Sequence, residues 1–295
     1  MPKIGAHVSI AGGLPRAIDR AVASGCETFQ IFTKSVGQWR ARPIPPEERK
    51  AFRRRAKETG LRPIVAHNSY LINVAAADSA LRKRSIASLA EELDRAESLG
   101  LDALVMHPGS HASEAQGLTL IADALAGLLR TRRRGSTRIL LEHTAGQGTN
   151  LGHRFEHLAA IIAAIIKDVG RTRRLGICLD TCHLVAAGYD ITTPEGYDRT
   201  FDELDRVVGL GRLGLFHLND SKRPCGSRVD RHEHIGKGCL GLPTFERLLN
   251  DPRFADLPMV IETPKEQDAT RPGQIDPLDE MNLSTLRGLR RSQQP

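Results

Sequence analysis

Residues 103–142 read ALVMHPGSHASEAQGLTLIADALAGLLRTRRRGSTRILLE, and this stretch decides the fold. Residues 103–107 (ALVMH) are an apolar run that ends on a histidine. A run this short, bounded by a turn, predicts a buried strand. Apolar residues at helical spacing follow, predicting a helix over 117–129. Residues 138–142 (RILLE) then repeat the strand pattern, ending on a glutamate. Strand, helix and strand in this order predict a parallel pair joined by a right-handed crossover.

The same unit recurs in both directions. Upstream strands are predicted at 3–7 (KIGAH), 28–32 (TFQIF) and 62–67 (RPIVAH), with helices at 15–24, 46–57 and 79–99. Downstream strands are predicted at 175–180 (LGICLD), 213–219 and 259–262 (MVIE), with helices at 155–166, 195–207 and 278–290. Eight alternating units predict an α/β fold closed as a (β/α)8 TIM barrel, a single domain over residues 1–295. In the helix over 79–99, Ile86, Leu89, Ala90, Leu93, Ala96 and Leu99 share the apolar face. Arg82, Arg84, Glu91, Glu92, Asp94 and Glu97 are expected to face elsewhere, and Gly100 stops the helix. The terminal RSQQP is expected to fray.

The 295 residues carry a net charge of +7 and a pI near 9.4, which suits an acidic partner such as nucleic acid. No apolar run approaches the ~18 residues of a membrane span. The opening MPKIGAHVSI lacks the apolar core of a secretory signal. Five cysteines cannot all pair, so reduced thiols and a cytoplasmic location are expected, with Cys182 a small buried residue.

In a barrel of this kind the C-terminal strand ends share one face, where catalytic groups gather. His67, His107, Glu142, Asp180, His217 and Glu262 all fall at predicted strand ends. A lone histidine at a strand end is usually a hydrogen-bonded structural residue. Six such groups together, without cations, would cost several kcal/mol per buried charge. Residues 217–238, HLNDSKRPCGSRVDRHEHIGKG, add Asp230 and His232 two apart in an extended loop, while His183 follows Asp180 by three. This set exceeds the roughly four ligands one zinc takes, so two or three metals are expected. The cations threaded through the same loop suit a polyanion lying over those metals.

GAHVSIAGGL (5–14), IFTKS (31–35) followed by QW (38–39), HNSYLINVA (67–75), HPGSH (107–111), LLEHTAGQGTNLG (140–152), GICLDTCHLVAAGYDI (176–191), FHLNDSK (216–222), GSRVDRHEHIGKG (226–238) and IETP (261–264) together resemble the endonuclease IV family of metal-dependent apurinic/apyrimidinic DNA-repair endonucleases. The resemblance spans residues 3 to about 264. It implies a trinuclear zinc site in which His67, His107 and a bridging Glu142 hold one ion. Glu142, Asp180, His217 and Glu262 would hold the second, and His183, Asp230 and His232 the third. All nine positions are intact, and manganese is admissible at an oxygen-rich position. Two departures stand out. Gly37 replaces an arginine that in the family helps to open the DNA, and His143 replaces a common asparagine.

Phosphate ester hydrolysis is among the slowest uncatalysed reactions, and one general base supplies only about 10²–10⁴. Metals must therefore supply much of the rest, with Glu142 and Glu262 expected as catalytic carboxylates orienting the attacking water. The expected partner is double-stranded DNA with an abasic site or a blocked 3′ end, cut by a monomer. Lys34, Gln38, Trp39, Lys222, Arg228 and Arg231 are the expected DNA contacts. Tyr70 and Leu71 are expected to wedge into the duplex, since apolar wedges kink DNA. His7 is expected behind the ligands, and the runs 53–55, 132–134 and 171–174 as solvated surface. Two rival readings remain: a metal-dependent sugar isomerase or epimerase on the same barrel, and a non-catalytic binder of damaged DNA.

Overall fold

The computed structural model describes residues 1–266 and 276–291. Eight parallel strands close into a barrel: β1 (Lys3–His7), β2 (Thr28–Phe32), β3 (Ile64–His67), β4 (Ala103–Met106), β5 (Arg138–Glu142), β6 (Leu175–Asp180), β7 (Leu213–His217) and β10 (Pro258–Ile261), with β1 pairing both β2 and β10. Between β7 and β10 the chain forms a two-stranded antiparallel ribbon, β8 (Asp220–Ser221) with β9 (His232–Glu233).

Helices α1 (Leu14–Ala23), α2 (Pro46–Thr59), α3 (Ser79–Leu99), α4 (Glu114–Thr131) and α5 (Phe155–Val169) follow the first five strands. The short α6 (Thr181–Ala187) springs directly from β6 and precedes α7 (Pro194–Val207). α8 (Gly241–Leu249) and α9 (Pro277–Leu289) complete the ring.

The strands are buried on both faces, as parallel sheets must be, and this produces two cores. The inner one is Val65, Ala103, Val105, Leu140, Cys178, Leu215 and Val260. The outer one lies between strands and helices, with Phe29, Phe52, Leu89, Leu93, Phe155, Phe201, Phe216 and Phe245 among its members.

The expected barrel and its eight strands are present. Beyond shifts of one to three residues at the ends of other elements, which leave His107 and Glu262 one residue past their strands, three details differ. Strand β7 ends at His217 rather than 219, because Leu218 and Asn219 turn toward the ribbon. Helices α6 and α8 are additional to the expected elements, since both are short and lie close to loops rich in polar residues. On α3, Glu92 faces inward and is 1% exposed, alongside Ser85 and Ser88. A carboxylate tolerates that position only with partners, and it has them. Of the terminal RSQQP, residues 292–295 lie outside the described residues.

Candidate metal centre

Side chains along a strand alternate between faces, so residues two apart share one. The inner-core residues Val65, Val105, Leu140, Cys178, Leu215 and Val260 are each followed two positions later by His67, His107, Glu142, Asp180, His217 and Glu262. Strand geometry alone therefore carries these six side chains to one mouth of the barrel.

Glu142, fully buried, is their common neighbour. His67 Nε2 lies 3.0 Å and His107 Nε2 3.2 Å from its Oε2, while His217 Nδ1 lies 2.9 Å from its Oε1. His217 Nδ1 is also 3.2 Å from Glu262 Oε2. The loops add a second concentration. His183 Nε2 lies 3.1 Å from Asp230 Oδ2, and His232 Nε2 lies 3.2 Å from Asp230 Oδ1 and 3.5 Å from Asp180 Oδ2.

Three sets could each hold a metal ion: His67, His107 and Glu142; Glu142, Asp180, His217 and Glu262; and His183, Asp230 and His232. The ligating atoms of each set lie within 4.8 Å of one another. A fourth combination, Asp180 with Cys182 and His232, reuses two residues of the others. Burial pushes the Cys182 thiol well above its usual range, as expected of a small buried residue.

The donor set fits metal ions on two further observations. Four histidines fix one ring nitrogen on a carbonyl oxygen and leave the other facing the cluster. His67 Nδ1 meets Asn68 O (2.7 Å), His183 Nδ1 meets His143 O (2.8 Å), His232 Nδ1 meets Glu262 O (3.1 Å) and His217 Nε2 meets Gln30 Oε1 (2.9 Å). Metal-binding histidines are held in this way almost without exception. The inward Nε2 atoms of His183 and His232 are buried, and neither makes a hydrogen bond of acceptable angle despite its closeness to Asp230. With Asp230 they make up the third candidate set.

The electrostatics match. Burial alone would raise the Glu142 carboxyl, but His217 and His107 hold it well below its usual range. Burial would lower His183, but Asp180 and Asp230 hold it well above. His232, opposed by burial and favoured by Asp180 and Asp230, is raised to about 9. Carboxylates this acidic beside imidazoles this basic make a site that seeks cations, and in their absence protons take that place.

Several supporting residues were not singled out from sequence. Gln30 Nε2 donates to Glu262 Oε1 at 2.5 Å and approaches His7 Nδ1 at 3.0 Å. Asn219 Nδ2 donates to Asp180 Oδ2 at 2.6 Å, and its Oδ1 accepts from Glu262 N at 2.8 Å. Gln30 was discoverable, because its alternation within TFQIF points it inside the barrel. Asn219 was not, since its role depends on two other strands. His7 does sit behind the ligands, with Nδ1 at 3.4 Å from Glu262. His143 is fully buried, and neither ring nitrogen has a hydrogen-bond partner. Burial and its histidine neighbours lower its pKa to about 3, so it is a neutral ring packed on Phe155 and Tyr189. Asp220 belongs to none of the ligand sets; it accepts from Gly236 N and Leu240 N and shapes the ribbon loop.

Around the mouth, Tyr70 is 59% and Leu71 37% exposed. The Tyr70 ring lies 5.4 Å from His67 and 5.8 Å from His107, so its side chain borders the cluster. Gln38, Lys222, Arg228 and Arg231 are exposed, and Trp39 is half-buried with the Arg84 guanidinium 4.2 Å over its ring. Lys34 departs from expectation. It is only 4% exposed, and its Nζ donates to Trp39 O (2.9 Å) and Ser88 Oγ (2.8 Å) beside Glu92 (3.3 Å). A cation sealed in this way offers nothing to a DNA backbone, contrary to the contact expected of it. A Cβ at Gly37 would meet open space.

A profile described as "Xylose isomerase-like TIM barrel" matches residues 18–282. A "Probable endonuclease 4" of Chloroflexus aurantiacus is 54% identical over 291 residues, covering 98% of each chain. The chain belongs to the endonuclease IV family. Among solved structures, endonuclease IV from Thermus thermophilus superposes with a TM-score of 0.84 at 39% identity, covering 98% of each chain. A D-psicose 3-epimerase also superposes, with a TM-score of 0.68 over 97% of each chain, but at 14% identity it shares the barrel alone. Within the endonuclease IV family, then, this barrel mouth gathers the groups described above, and the sugar-epimerase alternative has only the fold behind it. Among the described residues, no helix is long and apolar enough to cross a membrane.

Proposed function

We propose that this protein is a zinc-dependent DNA-repair endonuclease that hydrolyses the phosphodiester 5′ to an abasic site, leaving a 3′-hydroxyl and a 5′-deoxyribose phosphate. It also trims blocked 3′ ends. It acts as a cytoplasmic monomer whose residues 1–295 form one catalytic domain. The observation that carries this reading is the sharing of Glu142 between two candidate ligand sets, which favours a cluster over a single ion.

His67, His107 and Glu142 would hold one ion, Glu142, Asp180, His217 and Glu262 a second, and His183, Asp230 and His232 a third. Imidazole with carboxylate suits zinc first, and the oxygen-rich second set admits manganese. Bound metals of this kind supply Lewis acidity and lower the pKa of water.

The chain's own residues do the rest. Glu142 and Glu262 orient the attacking water through their carboxylate oxygens. Gln30 and Asn219 keep Glu262 and Asp180 in place. Tyr70 and Leu71 enter the duplex where the base is missing, a place already partly unstacked. Gln38, Trp39, Lys222, Arg228 and Arg231 lie against the sugar–phosphate backbone.

The test is cleavage of a duplex bearing one abasic site, run beside metal quantification on the purified protein. Incision 5′ to the lesion with about three zinc ions per chain is expected. No incision by fully metal-loaded protein overturns the reading.

A further inference from the structure

The other mouth of the barrel has its own polar feature. Arg138, Leu140 and Glu142 alternate onto the inner side of β5, so one strand places a guanidinium at one end and the shared carboxylate at the other. The guanidinium rests where β6 and β7 carry glycine. A Cβ at Gly176 would sit 2.5 Å from its Nη2, and one at Gly214 would sit 3.0 Å from its Nη1. Larger residues at either position would expel it.

Arg138 Nε is shut away from solvent and has no hydrogen-bond partner. Arg138, Arg173 and Arg212 line an open hollow of about 630 Å³ with Thr172, Leu175 and Val208. No acidic residue lines it. Glu97 is engaged with Arg174 at 2.7 Å, and Asp205 accepts from Leu210 N at 2.9 Å. Among the described residues, no carboxylate forms an ion pair with Arg138, Arg173 or Arg212. Burial, with the Arg212 charge added, holds Arg138 below its usual range.

Half-burying a guanidinium next to like charges, with no counter-ion, is costly. An anion in the hollow would be met by the Nη atoms of Arg138, since Nε is closed to solvent and ligand alike. Guanidinium forks match phosphate oxygens two at a time. We propose that this hollow binds a phosphate-bearing anion, either free inorganic phosphate or the phosphate of a mononucleotide, on Arg138, Arg173 and Arg212. It lies at the end of the barrel opposite the candidate metal centre, and the functional reading does not depend on it. Its size suits a small ligand, since such pockets run from about 300 to 1,000 Å³.

The test titrates the metal-loaded protein with inorganic phosphate and, separately, with deoxyadenosine monophosphate. Wild type is compared with Arg138→Met and, because that buried change can disturb folding, with the exposed Arg173→Gln. Calorimetry should count one more bound anion in wild type than in either variant. At ten times the dissociation constant, the anion should raise the wild-type melting midpoint by about 2 °C more than that of Arg173→Gln. Abasic-site cleavage should stay within about twofold in both variants, since neither residue is near the metal-ligating face. Tighter binding of the nucleotide assigns the site to nucleotides, and equal binding assigns it to phosphate itself. Equal stoichiometry and equal thermal gain in wild type and Arg173→Gln overturn the proposal.

Discussion

Lys34 Nζ lies 3.3 Å from Glu92 Oε1, with both side chains sealed from solvent. Lys34 sits in the loop after β2 and Glu92 on α3, while Glu92 also accepts from Ser69 N at 3.2 Å. Ser69 Oγ in turn donates to Val36 O at 2.5 Å. The pair therefore ties the Gln38–Trp39 loop to the Tyr70–Leu71 turn. Burial still pushes the Glu92 carboxyl up, Lys34 notwithstanding. Breaking a buried pair from one side typically costs about 3–5 kcal/mol. Glu92→Gln and Lys34→Met should each lower the melting midpoint by roughly 5–8 °C. The double replacement Lys34→Met with Glu92→Leu should recover part of that loss. An unchanged midpoint in both single variants would remove the pair from any structural role.

Replacing Glu142 tests the shared ligand. Glu142→Gln keeps the shape of the side chain but removes the charge common to two sets. Incision of an abasic duplex should fall by at least about 10³, consistent with the loss of a group that serves metals and water together. Binding to the same duplex should persist, because the exposed mouth residues are untouched. Gel-shift and single-turnover cleavage on one preparation separate the two, and full activity in this variant would reject the mechanism.

Zinc affinity should rise with pH. His183 is held well above its usual value and His232 at about 9, each against burial by its carboxylate neighbours. In the metal-free protein their stabilising contribution is complete below the unfolded value near 6.5 and fades as pH climbs through about 9. A metal must displace these protons, so binding should tighten from pH 6 to 9 and release protons. Calorimetry in buffers of different ionisation enthalpy reads that release. An affinity flat across this range contradicts it. Prolonged chelation should abolish cleavage, and added zinc should restore it.

Tyr70 and Leu71 are exposed at the mouth, so alanine there should leave stability within about 0.5 kcal/mol. Affinity for abasic duplex should drop by about tenfold for Tyr70→Ala, in line with the loss of one stacking contact. Equal affinity for abasic and intact duplex in wild type would show that the turn does not read the lesion.

Gly37 offers the converse experiment. Since a Cβ there meets open space, Gly37→Arg should fold normally. It should tighten DNA binding and steepen the dependence of log affinity on log salt by about 1. An unchanged slope would place residue 37 away from the phosphates.

Much of the site was readable because strand alternation is local. Once RILLE is a strand with Leu140 inward, Glu142 must point inward too, and the same holds for ICLD and VMH. What escaped were features fixed by partners distant in sequence. Lys34 reads as one more cation in a basic loop, and only Glu92, 58 residues away in the numbering, makes it a buried strut. Glu92 reads as part of the polar face of α3 until the turn at Ser69 is seen to need an acceptor. Asn219 joins Asp180 and Glu262, which belong to different strands, and nothing in LND announces that. The ribbon of β8 and β9 has two-residue strands, too short to leave a periodic signal.

The two-residue rhythm of β5 has one more consequence. Because Leu140 sets the phase for both Arg138 and Glu142, an amino acid inserted between Leu140 and Leu141 would swing the glutamate out among the helices and leave Leu141 in its place. Length changes in this lineage should therefore accumulate in the connecting loops and spare the strands, whose residue count is set by the catalytic mouth as much as by the barrel.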